Sequence, residues 1–220
     1  QSHPKVADVA VFGIPHPDWG EEVKAVIEPE VGAEPGDDLA AELLAYCGEH
    51  QCSVAEAAIG REMTNTGQER ESILAGMRNL LDQMRQTIAS GIASGEKSMS
   101  GLSGGDARKI MSFLGKPQCF FSPIEMKMMA YGLATLEENA RMRKIVACPT
   151  AGGSGSVPAA LIAVEEEAKV DPEKTVMGLV TAGCIGELVA RRMMLSGAAA
   201  GCQAEVGVAS GMAAGGLVEM

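Results

Sequence analysis

Three side chains that could do chemistry lie close together near the end of the sequence. Cys202, Gln203 and Glu205 fall within Ser196–Gly216, a stretch made almost entirely of Gly, Ala and Ser. A cysteine thiolate binds soft metals, and small residues let backbones approach one another or a compact cofactor closely. One interpretation is therefore a cofactor wall in which Cys202 is a metal ligand.

Two other interpretations of Ser196–Gly216 stay open. Gly207, Gly211 and Gly215 have the four-residue spacing of membrane helix pairs. This interpretation is disfavoured, since Glu205 would cost roughly 2.5–3.5 kcal/mol near the centre of a bilayer. The stretch could instead form a tightly packed buried helix pair, in which Cys202 is only a small apolar residue.

The other cysteines offer partners for Cys202. The six cysteines, at 47, 52, 119, 148, 184 and 202, contain no C-x-x-C pair and are too sparse for a disulfide scaffold, so we expect a reducing cytoplasm. Cys148 lies in a second small-residue loop, Ala147–Gly155, and a predicted helical hairpin separates the two loops. A fold could bring Cys148 and Cys202 together around a metal, although scattered cysteines are more often structural. Cys184, inside a helix, is a third candidate.

Composition limits the class of protein. The 220 residues are 46% hydrophobic but only 3% aromatic, with 14 Met and 27 Gly, which is typical of packed helices. The net charge of −11 argues against a nucleic-acid groove or an anionic membrane surface as partner. No signal-peptide pattern begins the sequence, and both of its ends look cut.

The pattern of elements changes near residue 51. Residues 1–50 predict a small α+β unit with strands at 6–12 and 23–27, a turn at Gly13–Pro15 and a helix capped by Asp37 or Asp38. From Ser53, which begins a capping-box pattern, we predict only helices. Their ranges are 69–92, with one apolar face, then 124–142, about 158–169 and about 172–194.

Two predictions concern particular residues of these helices. Met126, Met129, Leu133 and Leu136 are predicted as core. Asp106 is predicted as a cap after the Ser98–Gly105 loop, whose backbone N–H groups would suit an anion.

The first unit resembles a known family. H-P-x-V-A-D-V-A-V-F-G-I-P-H-P-D-W-G-E-E-V-K-A-V, from His3, is similar to the C-terminal lid of the AMP-forming acyl-CoA synthetases, and the likeness runs to about His50. The adenylating core and the motif with that family's catalytic lysine have no counterpart here. The resemblance therefore implies a fold and not an activity.

The second unit, from about residue 52, resembles the alpha chain of the iron–sulphur-dependent L-serine dehydratases. The matching motifs are S-V-A-E-A-A-I-G-R-E-M, S-G-L-S-G-G-D-A, C-P-T-A-G-G-S-G-S-V-P-A and S-G-A-A-A-G-C-Q-A-E-V-G-V-A-S-G-M-A-A. The implied fold is mostly α: a helical dehydratase alpha-chain domain over 52–220, preceded by an α+β fragment over 1–51.

That resemblance implies a chemistry. Family members convert L-serine to pyruvate and ammonia at a [4Fe–4S] cluster held by three cysteines, with one iron left open as a Lewis acid. Cys148 and Cys202 would be two ligands, although many relatives carry the first cysteine at the position of Ser154. The third belongs to a Cys-Asp-Pro motif that this sequence lacks. Gln203 would donate near the cluster, and Glu205 would orient such donors, hold the substrate amine or cap a helix. The base is not identified.

The resemblance also implies partners. Relatives hold substrate with a Ser-Ser-His-Thr-type loop on a beta chain or an N-terminal domain, which this sequence lacks, so L-serine and a beta chain are the expected partners in amino-acid degradation and gluconeogenesis. A homo-oligomer is compatible with the sequence. The two likenesses meet near Cys52 without linker composition, which favours a fusion or assembly artefact. The alternatives are thus a truncated, non-catalytic fusion and a lid fragment that binds an acyl-CoA or an adenylate.

Overall fold

The protein is described from a computed structural model that covers residues 6–16, 20–29, 53–191 and 193–220, with side chains from Ser53 onward. The chain divides into two compact units, residues 1–52 and residues 53–220. Each unit has its own architecture.

The first unit contains an antiparallel hairpin. Strand β1, Val6–His16, pairs with strand β2, Gly20–Pro29, in a register that places Val11 opposite Ala25. The predicted turn at Gly13–Pro15 is wrong, because β1 continues through it and Pro15 lies opposite Glu21. A two-stranded sheet has a free edge on each strand, where a proline without an N–H is tolerated. The helix predicted after Asp37 lies outside the described residues.

The second unit is built from helices, and no strand occurs among its described residues. This confirms the mostly α prediction. The helices are α1 (Val54–Thr66), α2 (Arg70–Ala93), α3 (Asp106–Met111), α4 (Pro123–Ala140), α5 (Ser156–Ala168), α6 (Pro172–Ala190), α7 (Gly197–Ala200) and α8 (Cys202–Glu219).

Local sequence signals explain where several helices begin. The Ser53 side chain accepts a hydrogen bond from the Glu56 N–H at 3.3 Å, as its capping-box pattern predicts. Ser122 forms a complete reciprocal capping box with Glu125 at the start of α4. Proline at the first position of α4 and α6 adds a preset φ where no N–H is needed.

The apolar face predicted for α2 forms part of the core. Leu74, Leu81, Met84 and Ile88 are buried, whereas Leu80 at the edge of the stripe is 40% exposed. The 3.6-residue period thus identifies the inward face of this helix.

The apolar face predicted for α4 is partly wrong. Met126 is buried, but Met129 and Leu136 are more than one third exposed, while Glu137 and Glu138 are each only 5% exposed. The face that turns inward is therefore rotated toward two carboxylates. Their burial is possible because Arg141 forms ion pairs with both.

Helices α6 and α8 have the most extensive contact of any helix pair among the described residues. A Cβ on Gly178 would lie 2.6 Å from the Gly216 carbonyl oxygen, so both positions require glycine for this backbone approach. The spaced Gly207 and Gly211 instead face open space. Among the described residues, no helix combines the length and the apolar character needed to cross a membrane.

Candidate functional site

The two small-residue segments of the sequence meet at Glu205, and the second of them, predicted as a loop, is helical. The loop 148–155 runs into α5, which packs against α8, and Glu205 lies in the first turns of α8. The Thr150 hydroxyl, at the tip of that loop, donates a hydrogen bond to Glu205 Oε1. Thr150 follows Cys148 by two residues and Glu205 follows Cys202 by three, so this hydrogen bond joins the segments that carry the two candidate iron ligands.

Glycines make room for the Glu205 carboxylate. A Cβ on Gly152 would lie 2.6 Å from Glu205 Oε2 and 2.8 Å from Oε1, and a Cβ on Gly197 would lie 2.6 Å from Oε2. One residue further along the loop, a Cβ on Gly153 would lie 2.9 Å from the Ala209 Cβ. The Gly and Ala content of both motifs therefore serves the contact between the loop and α8.

Cys148 lies on the inner side of this contact. Its side chain belongs to the hydrophobic core and is 7% exposed. Burial raises the pKa of the Cys148 thiol to about 11, because a thiolate would lose its hydration there. To bind a metal, this thiol must first give up its proton.

Cys202 and Gln203 lie on the outer side. Both are exposed, and Cys202 is the first residue of α8, directly after Gly201 with its positive φ of 90°. The buried-pair interpretation of Cys202 is therefore wrong, although α8 itself does pack against α6. The N-terminus of an 18-residue helix suits an anionic group. The two side chains line a shallow depression together with Val206, Gly207 and Ser210.

Ser154 stands at the position where, by the family resemblance, many relatives carry a cysteine. Its side chain is fully buried. Its hydroxyl donates to the Ala151 carbonyl oxygen at 2.7 Å, and Asn139 Nδ2 donates to the same oxygen at 3.2 Å. Asn139 was not predicted as a site residue, and no sequence motif marks it. Together with Thr150 it fixes the shape of the loop.

The start of α3, directly after the Ser98–Gly105 loop, offers an anion site, and a carboxylate of the same chain occupies it. The backbone N–H groups of Asp106 and Ala107 donate to Glu137 Oε1 at 2.7 and 3.3 Å. The predicted cap is wrong, because Gly105 is the N-cap of α3 and Asp106 is paired with Lys109 instead. The Glu137 carboxylate of α4 thus takes the place of an external anion at this helix start.

The thiols described by the structure do not form a complete metal site. Among residues 53–191 and 193–220, no three or more His, Cys, Asp or Glu side chains are grouped closely enough to hold a metal ion. Cys184 is half-buried within α6, where burial raises its thiol pKa. The Cys119 thiol donates to the Phe121 carbonyl oxygen at 3.3 Å. Cys47 and Cys52 lie outside the described residues.

The buried Cys148 thiol predicts a pH effect on stability. The folded-state pKa of Cys148 lies above its ordinary value of 9.0, so its contribution to the unfolding free energy is complete below about pH 9 and is lost as the pH rises toward 11. This contribution is roughly 1–3 kcal/mol. Between pH 8 and pH 10.5, the free energy of unfolding measured in urea should fall more for the wild-type chain than for Cys148→Ala. An equal fall in the two chains would contradict a raised pKa of Cys148.

Two family models match the chain. One, described as "Serine dehydratase alpha chain", matches residues 49–220. The other, described as "AMP-binding enzyme C-terminal domain", matches residues 1–63. The two matched ranges overlap at residues 49–63, close to the division between the two compact units.

Curated relatives match most of the chain. A protein named probable L-serine dehydratase, alpha chain, from Bacillus subtilis (strain 168) is 40% identical over 179 residues, which cover 81% of this chain and 59% of that protein. The L-serine dehydratase alpha chain of Peptoniphilus asaccharolyticus is 32% identical over 83% of this chain and 63% of its own length. L-serine dehydratase 1 of Escherichia coli (strain K12) is 33% identical over 82% of this chain and 40% of its own. The chain therefore spans less than two thirds of each relative.

Proposed function

The chain belongs to the serine dehydratase alpha chain family over residues 49–220, as its motifs predict, and on that premise we propose that it acts as the alpha chain of an L-serine dehydratase. The reaction is the elimination of water from L-serine. Water is added back when the enamine product hydrolyses, which leaves pyruvate and ammonia. The proposed partners are L-serine and a beta chain, and the proposed location is the cytoplasm.

The observation that carries this proposal is the contact between the loop 148–155 and the start of α8. Thr150 and Glu205 are 55 residues apart in the sequence, yet the hydrogen bond between them joins the two motifs. Cys202 and Gln203 are exposed on the same first turn of α8. An exposed thiol, an amide donor and a fixed loop are thereby collected at the start of α8.

The proposed cofactor is a [4Fe–4S] cluster, and the donor set of this chain fits it in part. Cys202 fits as a ligand, because it is exposed at a helix N-terminus that favours an anionic group. Cys148 is the proposed second ligand and would bind only after losing its proton. When bound, a cluster with one open iron supplies a Lewis acid for the hydroxyl and carboxylate of serine.

The residues of this chain have distinct roles around that cofactor. Gln203 offers its amide N–H beside Cys202, where hydrogen bonds to sulphur tune an iron–sulphur centre. Glu205 belongs to the same site through Thr150. Asn139 and Ser154 both donate to the Ala151 carbonyl oxygen and keep the loop in one shape, which favours a fixed ligand geometry.

Anaerobic reconstitution tests the proposal directly. The chain is incubated with iron and sulphide, its bound iron and visible absorption are measured, and pyruvate formation from L-serine is followed after a serine dehydratase beta chain is added. We expect cluster absorption and serine-dependent pyruvate, with none in the iron-free control. A colourless protein without pyruvate formation would overturn the proposal.

A second candidate function follows from the match to the AMP-binding enzyme C-terminal domain. The first unit would then bind an adenylate or an acyl-CoA without catalysis. Calorimetry of the whole chain with AMP and with CoA separates the two candidates, because binding heat supports the lid function and its absence removes it.

A further inference from the structure

We infer that Glu205 is a positioning residue, which fastens the loop 148–155 to the start of α8 and so sets the distance between the two cysteine-bearing segments. The inference rests on the proposed function for its consequence in catalysis. The contact itself is a property of the folded chain. We call the contact of the Glu205 carboxylate with Thr150, Gly152 and Gly197 the carboxylate latch.

One oxygen of the carboxylate is hydrogen-bonded, and the other lies against glycine backbone. Oε1 accepts the hydrogen bond from the Thr150 hydroxyl. Oε2 lies 2.6 Å from the places where a Cβ on Gly152 or on Gly197 would be, so it fits between two residues that have none. A carboxylate used in this way is poorly placed to receive the ammonium group of a substrate.

The charge balance around Glu205 agrees with a latch. Among the ion pairs formed by the part of the chain with described side chains, none involves Glu205. Its negative charge instead lies near the N-terminus of α8, which is favourable for an anion. A carboxylate that accepts a hydroxyl hydrogen bond makes a stronger bond than a neutral acceptor would.

The latch acts on both candidate ligand segments at once. Cys148 is held within the core, and its carbonyl oxygen lies 3.2 Å from the Cβ position of Gly153. On the other segment, the Cys202 Cα lies 3.7 Å from the Cβ position of Gly197. Opening the latch would therefore release the loop, expose Cys148 and change the position of Cys148 relative to Cys202.

The test measures how well Cys148 is protected from alkylation in the iron-free chain, by mass spectrometry of the labelled peptide. Thr150→Val and Glu205→Ala should raise the labelling rate of Cys148 roughly 10- to 100-fold, since each removes a hydrogen bond to a charged group. Glu205→Gln should raise it less than about tenfold, because its amide oxygen can still accept from Thr150. Glu69→Gln, an exposed glutamate outside this site, is the matched control.

Glycine variants test the same contact from the other side. Gly197→Ala places a Cβ 2.6 Å from Oε2 and should also expose Cys148, whereas Gly183→Ala, with open space around it, should not. If Thr150→Val, Glu205→Ala and Gly197→Ala all fold and leave Cys148 as protected as in the wild-type chain, the latch does not exist.

Kinetics of the reconstituted enzyme separate positioning from substrate binding. A positioning role predicts that Glu205→Gln retains most of the bound iron and leaves KM for L-serine within about threefold, while Glu205→Ala loses iron and kcat together. A large rise in KM for Glu205→Gln with Cys148 still protected would overturn the inference in favour of amine binding. If the wild-type chain shows no serine activity, the proposed function fails, while the alkylation rates still decide the latch.

Discussion

Replacing Arg141 by methionine should lower the free energy of unfolding by roughly 3–5 kcal/mol, the range expected when one partner of a buried ion pair is removed. The Arg141 side chain is 3% exposed, and its Nη2 lies 3.4 Å from Glu137 Oε2 and 3.2 Å from Glu138 Oε1. Methionine keeps much of the buried volume but none of the charge. The two carboxylates would then remain in the core without their cation.

The hydrogen bonds around Glu137 and Glu138 make the expected loss of unfolding free energy large. Glu137 Oε1 also accepts from the first two N–H groups of α3, and Glu138 Oε2 accepts from the Ser90 hydroxyl at 3.0 Å. Moving Glu137 out to water would break its bonds to α3, and moving Glu138 out would break its bond to α2. The cluster thus couples α2, α3 and α4, and damage to it should appear as a loss of global stability.

Urea unfolding followed by circular dichroism measures the effect. Arg143→Met is the matched control, because Arg143 pairs with Glu96 at 3.4 Å with both side chains more than half exposed. An exposed pair of this kind contributes about 0–1 kcal/mol. Equal losses in the two variants would show that burial does not strengthen the Arg141 cluster.

The buried face of α4 cannot be predicted from the spacing of its apolar residues alone. A count of apolar residues selects Met129 and Leu136, and the structure exposes both. The burial of Glu137 depends on the N–H groups of α3, some thirty residues earlier in the chain, and no local pattern records that contact. Arg141, the C-cap of α4, follows Glu137 by four residues and Glu138 by three, and this spacing is the one signal that could have revealed the cluster.

The candidate site was predictable in its parts but not in its contacts. The motifs identify Cys202, Gln203 and Glu205, and the structure places them on one helix start. The partner of Glu205 is Thr150, and this pairing depends on how α5 and α8 pack. In the same way, the spacing of Gly207, Gly211 and Gly215 suggested a helix contact, but only Gly215 of the three faces α6. The close backbone approach is between Gly216 and Gly178.

Replacing Cys202 by serine should reduce iron binding and serine-dependent activity by at least about 100-fold, since loss of an outer-shell partner alone costs roughly 10–100-fold. A serine hydroxyl is a poor ligand for a soft iron–sulphur centre. Cys202 is exposed at the start of α8, so the substitution removes no core contact and the free energy of unfolding should change by less than about 0.5 kcal/mol. Bound iron and urea unfolding are measured on the same preparation.

The comparison of Cys202→Ser with Cys148→Ser and Cys184→Ser decides how many ligands this chain supplies. If both proposed ligands hold iron, Cys148→Ser should lose iron as Cys202→Ser does and should also be destabilised, because it introduces a hydroxyl into the core. Cys184→Ser, within α6 and outside the site, should keep its iron. Retention of iron by Cys148→Ser would reduce the site to Cys202, and retention by Cys202→Ser would remove the chemical basis of the proposed cluster, because no other exposed thiol lies at this helix start.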